Sequence, residues 1–321
     1  MTPQTADDRL NTSSMDSPGT GPGPVAATGS PAASATSSVE GRLSFARALR
    51  AELMKIRVLR SSWWLSAIAL VLVVGFTGLT LLSFNAMRSM QEQGMPDGAQ
   101  MPEQSDADLM RQLLTNGTGG LAFAGILLGC VGIIAISSEF GTGSIRSSAN
   151  AVPRRGLFAA AKLTAVAITA AVVGAVLIIA STAIILAFAA GEGLLGAADS
   201  GEVWQSALTN WLSMIIVTLL ACGLGLLLRS TAGAIVTLTM FLFVVQIALG
   251  ILSGMTQNAE FVEFLATWEF GNLLSSLTQL REPTGEAYDL SVSTGTAIVG
   301  LLAWLAAVIV PATVLFQKRD V

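Results

Sequence analysis

The stretch "SALTNWLSMIIVTLLACGLGLLLRSTAGAIVTLTMFLFVVQIALGILSG", residues 206–254, contains one charged residue, Arg229. About 20 apolar residues cross a hydrocarbon core of ~30 Å. The stretch is too long for one crossing and is read as two, 206–228 and 232–254. A lone arginine is costly in lipid, so Arg229 marks a helix end, and Gly233 eases the turn in "LRSTAG". Backbone groups in lipid must be satisfied within the element that crosses. The run lacks the ~10-residue alternation of a barrel strand, so both crossings are read as helices.

The same test applied outward finds uncharged windows at 61–87, 112–138, 163–191 and 290–317. The fold class is therefore an all-α membrane protein of six transmembrane helices, at about 63–84, 119–137, 163–190, 206–228, 232–254 and 294–316. Composition agrees. Hydrophobic residues make up 52% of the chain and charged residues only 12%, too few charges to face water around a soluble core.

Orientation follows from the basic residues. With both termini placed in the cytosol, 14 of the 17 Lys and Arg fall inside, and only Arg88, Arg111 and Arg281 fall outside. The net charge of −4 conceals this asymmetry, and the low isoelectric point says little about partners.

Residues 1–40 hold five of the ten prolines and no aromatic residue, and are read as a disordered cytosolic tail. Residues 41–62 follow as an amphipathic helix at the inner surface. Phe45, Leu49, Leu53, Ile56 and Leu59 recur at helical spacing, with Arg47, Arg50, Arg57 and Arg60 largely off that stripe. The six-span domain occupies 63–321. Residues 85–117 read as a polar outer loop. Between 255 and 290, Phe261, Phe264, Leu265 and Trp268 form one stripe and Leu273, Leu274, Leu277 and Leu280 another, broken at Gly271. They predict two short interfacial helices before the last span.

Several chemistries have no residues to carry them. Histidine is absent, Cys130 and Cys222 both fall in spans, and no Walker A loop or metal-ligand spacing occurs. No catalytic residue and no metal site is expected. No internal repeat is visible, and the span centres carry no ionisable group, which disfavours an ion-coupled transporter. Span hydroxyls such as Thr77, Ser181 and Thr218 read as packing groups, with Gln246 the largest polar group near a span centre. "GILLG" at 125–129 and "GILSG" at 250–254 match a close-packing glycine pattern that serves either intramolecular packing or a dimer seam.

One polar segment is left over, "SSEFGTGSIRSSANAVPRRGLFAAAKL", residues 137–163. Its Glu139, Phe140, Gly143, Ser144, Ile145, Arg146, Pro153, Arg154, Arg155 and Lys162 resemble the cytosolic loop of the ABC-2-type permease family, the membrane subunits of type-2 ABC exporters. The six-span plan, the amphipathic helix and the interfacial helices before the last span are also similar to that family. Asn150 departs from its more usual apolar residue.

The resemblance implies a permease subunit of an ATP-driven exporter in the plasma membrane. The loop at 138–162 would dock on a separate cytosolic ABC ATPase, with Glu139, Phe140, Gly143, Ile145, Arg146, Pro153, Arg154 and Arg155 forming the coupling element. Residues 144–152 would form a short coupling helix closed by Pro153. This chain would bind no cofactor, and ATP and Mg would sit on the partner. A second permease copy or a paralogue would pair with it in the bilayer, and no nucleic-acid partner is implied. Spans two and five would face the dimer axis, which makes Phe123, Ile126, Leu127, Phe241, Val245 and Gln246 candidates for the pathway. The rival classes are a secondary transporter or channel, and a non-transporting assembly or immunity protein.

Overall fold

The structure, a computed structural model, describes residues 44–92, 105–141, 143, 155–256, 259–280 and 290–318. The tail at 1–40 and most of the loop at 142–154 lie outside the described residues, as does the short helix expected at 144–152. Six helical segments are long and apolar enough to cross a membrane, and no strand occurs among the described residues.

The chain begins with α1 (Phe45–Val58), whose first turn is capped by the Ser44 side chain. The segment α2 (Arg60–Glu92) follows after the single extended residue Leu59. Next come α3 (Asp106–Gly117) and α4 (Gly120–Gly141), joined by the turn at Thr118 and Gly119. Then α5 (Arg155–Gly191), a short 3₁₀ turn (Leu194–Ala197) and α6 (Ser200–Leu228) complete the centre. The fifth crossing is α7 (Thr231–Thr239) and α8 (Val245–Met255), joined by a π-helical turn at Met240–Val244. Two short helices, α9 (Glu260–Thr267) and α10 (Phe270–Thr278), precede α11 (Thr294–Lys318), which runs through Pro311.

The hairpin expected at Arg229 is present. Arg229 adopts φ 53°, and its amide donates to the Gly225 carbonyl, closing α6. The Ser230 side chain then caps α7. The polar loop expected at 85–117 is corrected: α2 continues to Glu92, and α3 fills Asp106–Gly117. Ser105 caps α3, and Asp106 and Asp108 favour its first turn. Met110, Leu113 and Leu114 are buried against Leu81, Ile185 and Leu194.

Burial decides the architecture. The most apolar 18-residue window of α6 is 67% buried, against 11% for the fifth crossing. Thus α6 is the central post, with α4 and α5 against it and α7–α8 on the outside. Cys222, Leu226, Ile136, Val166, Phe158 and Phe316 pack with Ile56 of α1 at one end. Leu220, Leu224, Leu238, Phe270, Leu273 and Leu301 form the largest cluster.

The seam between α4 and α6 is made by small residues. A Cβ on Gly129 would lie 3.1 Å from the Ala221 Cβ and 3.0 Å from Leu238 Cδ2. The "GILLG" pattern therefore serves packing inside one protomer, whereas Gly250 and Gly254 of the second pattern have nothing within 4 Å. Most span hydroxyls bond back to their own helix, as Thr218 does to the Met214 carbonyl (2.6 Å) and Thr169 to Ala165 (2.9 Å). Thr77 instead donates across to the Gly117 carbonyl (2.8 Å) and lies 3.1 Å from Ser181 Oγ, tying α2 and α5 to the end of α3.

Candidate functional site

The amphipathic helix α1 carries an acid on its apolar side. Ala48, Glu52 and Ile56 recur every four residues and are all buried. A carboxylate buried by its own helix must find cations or give up its charge. Glu52 finds two. Lys162 Nζ, on α5, donates to Glu52 Oε2 at 2.6 Å, and Lys55 Nζ donates to Oε1 at 2.7 Å. Both ammonium groups also reach Glu139 Oε1, near the end of α4, at 2.9 Å. Lys162 also donates to the Ala135 carbonyl and lies 5.3 Å from the Phe158 ring centre.

Four charges from three helices therefore form one cluster with no net charge. Burial alone would raise the Glu52 carboxyl, but Lys162 and then Lys55 override it and hold Glu52 below its ordinary range. For Lys55, burial works against the charge, yet its bonds to Glu52 and Glu139 push it above the ordinary lysine range.

The cluster sits at the rims of the loop singled out in the sequence. That loop is shorter than the 138–162 expected, because α4 carries through Gly141 and α5 begins at Arg155. Glu139 and Phe140 are thus helical residues of α4. Glu139 is buried and Phe140 half-buried, the latter edge-on to Phe316 at 6.5 Å, with the Arg229 guanidinium 5.2 Å from its ring centre. Gly143 has φ +68°, a backbone that favours glycine. Arg155 opens α5, and Ile145, Arg146, Pro153 and Arg154 lie outside the described residues. Ser137 and Thr231 hydroxyls meet at 2.7 Å, linking the same end of α4 to the fifth crossing. A cavity of about 260 Å³ lies between α1 and α4, lined by Glu52, Lys55, Leu59, Ser138 and Glu139.

Glu52 and Lys55 did not emerge as site residues from the sequence. The signal was there: Glu52 stands three residues after Leu49 and four before Ile56, inside the apolar stripe.

The six pathway candidates separate in space. Ile126 and Gln246 meet at a cavity of about 230 Å³ at the opposite end of the bundle from α1. Phe123 stacks on Phe76 (4.9 Å) and lies 6.5 Å from Phe243, which also lines that cavity. Phe241 turns to Trp304 of α11, edge-on at 5.3 Å. Leu127 packs on the cluster of Ala69, Val73, Leu121 and Met214. Val245 is half-buried in the first turn of α8. The π-helical turn separates these neighbours, burying Leu242 while leaving Phe243 and Val244 exposed.

A further carboxyl lies behind the cavity wall. Glu269 is 5% exposed and caps α10, accepting from the Asn272 amide at 2.8 Å. Burial pushes its carboxyl up, partly offset by the Gly271 and Asn272 amides. The raised value means that the folded protein disfavours the ionised form. Stability is therefore lost as pH rises from the ordinary carboxyl range through the folded value. Glu269→Gln keeps an oxygen for the cap and removes the charge. Its thermal midpoint should match the parent near pH 4 and exceed it at pH 8, read by fluorescence melting of solubilised protein.

A family model described as "ABC-2 family transporter protein" matches residues 50–321. No curated protein matches the chain at significant similarity.

Proposed function

Because the chain belongs to the ABC-2 transporter family as a membrane permease, we propose that it is the spanning subunit of an ATP-driven exporter. In this reading the α1 end of the bundle faces the cytosol, both termini lie there, and the membrane is the plasma membrane. A separate ABC ATPase carries ATP and Mg. A second permease copy or a paralogue completes the pathway.

The observation that carries the reading is the charge cluster of Glu52, Lys55, Glu139 and Lys162. It supports a transmission role because it joins both rims of the loop to α1. A force applied to the residues between Gly141 and Arg155 reaches α4 through Glu139 and α5 through Lys162. The shared ammonium groups keep the two rims together and bring α1 with them. Packing at this end is equally continuous, from Phe140 to Phe316 to Phe158. A packed element responds to such a force as a rigid body. The loop thus delivers the closure of the ATPase pair to two spans and the surface helix as one unit.

The test is charge reversal in the loop. Arg146→Glu with Arg155→Glu should abolish co-purification of an ABC ATPase that the parent chain retains, and return its ATP turnover to that of the ATPase alone. Unchanged binding and turnover would overturn the coupling assignment. Export by vesicles that hold this chain alone on a proton gradient would overturn the ATP-driven reading.

A further inference from the structure

The cavity at the end opposite α1 is lined by hydroxyls and amides from four elements: Thr115 and Thr118 of the α3–α4 corner, Asn210 and Ser213 of α6, Gln246 of α8, and Ser275 and Thr278 of α10. Its other wall is apolar, with Ala122, Ile126, Val217, Leu242, Phe243 and Leu274. The polarity is ordered by depth. The α3–α4 corner and the α10 hydroxyls lie toward the end of the bundle, while Ile126, Val217 and Leu242 lie further along their helices. A molecule with a polar head and an apolar body matches that order.

The hydroxyl protons narrow the head. A Ser or Thr hydroxyl has one proton to donate and two lone pairs to accept. Thr118 donates its proton to the Leu114 carbonyl at 2.8 Å and Ser213 to Asn210 at 2.7 Å. Ser275 donates to Asn272 at 2.9 Å and Thr278 to Ser275 at 3.1 Å. Asn210 likewise directs one amide proton to the Ser206 carbonyl at 2.9 Å. Four hydroxyls have therefore spent their donors on their own helices and offer the cavity mainly lone pairs.

A buried carboxyl adds to this. A Cβ placed on the wall residue Gly271 would lie 3.0 and 3.3 Å from the two Glu269 oxygens and 3.4 Å from Gln246 Oε1. Glu269 Oε1 is buried without a hydrogen-bond partner among the described residues. Acceptor lone pairs favour a ligand that brings N–H donors, and a positive charge placed beside this buried carboxyl offsets the burial that disfavours its ionised form.

We propose that this cavity, inside a single protomer, binds the primary ammonium head of an amphiphile, its N–H groups meeting the lone pairs of Thr118, Ser213, Ser275 and Thr278. The proposal deepens the permease reading and rests on it. The ammonium belongs either to a transported amine or to an amine-headed bilayer lipid.

The full chain in phosphatidylcholine nanodiscs, which carry no N–H head, gives the test. Binding of octylamine, octyltrimethylammonium and octanoate is compared by equilibrium dialysis, with empty nanodiscs subtracted for partition. Octylamine should bind at least about tenfold more tightly than octyltrimethylammonium, since loss of two or three charge-assisted hydrogen bonds has at least that effect. Octanoate should show no binding above the empty discs. Ser213→Ala with Thr278→Val should lower octylamine affinity about tenfold while leaving the melting midpoint within a few degrees. Equal binding of both cations, or an unchanged affinity in the double variant, would overturn the proposal. Addition of phosphatidylethanolamine separates the sources: competition identifies the bilayer lipid, and its absence a distinct amine. Failure here with normal ATPase coupling leaves the permease reading standing, whereas failure of coupling with octylamine still bound removes that reading alone.

Discussion

Lys162→Met is expected to leave little folded protein in the membrane fraction. Lys162 is 2% exposed and holds one oxygen of Glu52 and one of Glu139. Its loss leaves two buried carboxylates to share Lys55, whose side chain is 46% exposed and less able to compensate. Removing one partner of a buried ion pair costs roughly 3–5 kcal/mol, comparable with the whole stability of many domains. Charge balance, and not the lysine itself, is the cause. Glu139→Gln combined with Lys162→Met restores one carboxylate to one ammonium, and should recover most of the lost yield and melting midpoint. If the double variant were as damaged as the single, volume and not charge would govern the site.

The same cluster sets a pH window. Glu52 is held below its ordinary value of 4.5, so its contribution is present above that value and is lost as pH falls through the lower folded value. Lys55 is held above its ordinary 10.5, so its contribution is present below that value and is lost as pH rises through the higher folded one. Between these limits the contribution of the cluster is constant, so it should give the melting midpoint little pH dependence.

What the sequence reveals is set by how local the cause is. Arg229 was decisive because one guanidinium cannot sit in the middle of an apolar run, and that constraint acts on the chain alone. The six crossings follow from it and from length. By contrast, α3 was hidden because Asp106 and Asp108 gave residues 85–117 a polar reading, although Met110, Leu113 and Leu114 keep helical spacing. Glu52 looked like one charge among the many of a surface helix. Its partner Lys162 lies 110 residues away, and only folding brings the two within 2.6 Å. The two cavities are less legible still, since their walls are drawn from helices whose order along the chain says nothing of which faces meet. Ile126 and Gln246 line one cavity, whereas Phe241 and Leu127 turn to Trp304 and the Met214 cluster, directions set by the π-helical turn and the α4–α6 seam.

That seam gives the second large effect. Gly129→Leu is expected to prevent the native packing of α4 on α6, with loss of monodisperse protein after solubilisation. Between membrane helices lipid is as apolar as any side chain, so association depends on close backbone approach through small residues. At Gly129 even a methyl group would press on Ala221 Cβ at 3.1 Å and Leu238 Cδ2 at 3.0 Å, and Ala221 has no rotamer with which to yield. Ile133 and Gly225 repeat the closeness one turn on, where a Cβ on Gly225 would lie 3.4 Å from the Ile133 Cα. The four carbons of a leucine must therefore push the helices apart. The damage should exceed the 1–3 kcal/mol typical of overpacking, because α6 is the post on which the other spans rest. Gly250→Leu supplies the contrast. It alters the same sequence pattern but meets nothing within 4 Å, so the melting midpoint should stay near that of the parent. Equal damage at both positions would mean that glycine is needed for helix flexibility and not for close approach. Damage at Gly129 alone assigns the pattern to packing in one protomer and leaves the face of α8 open to a second copy.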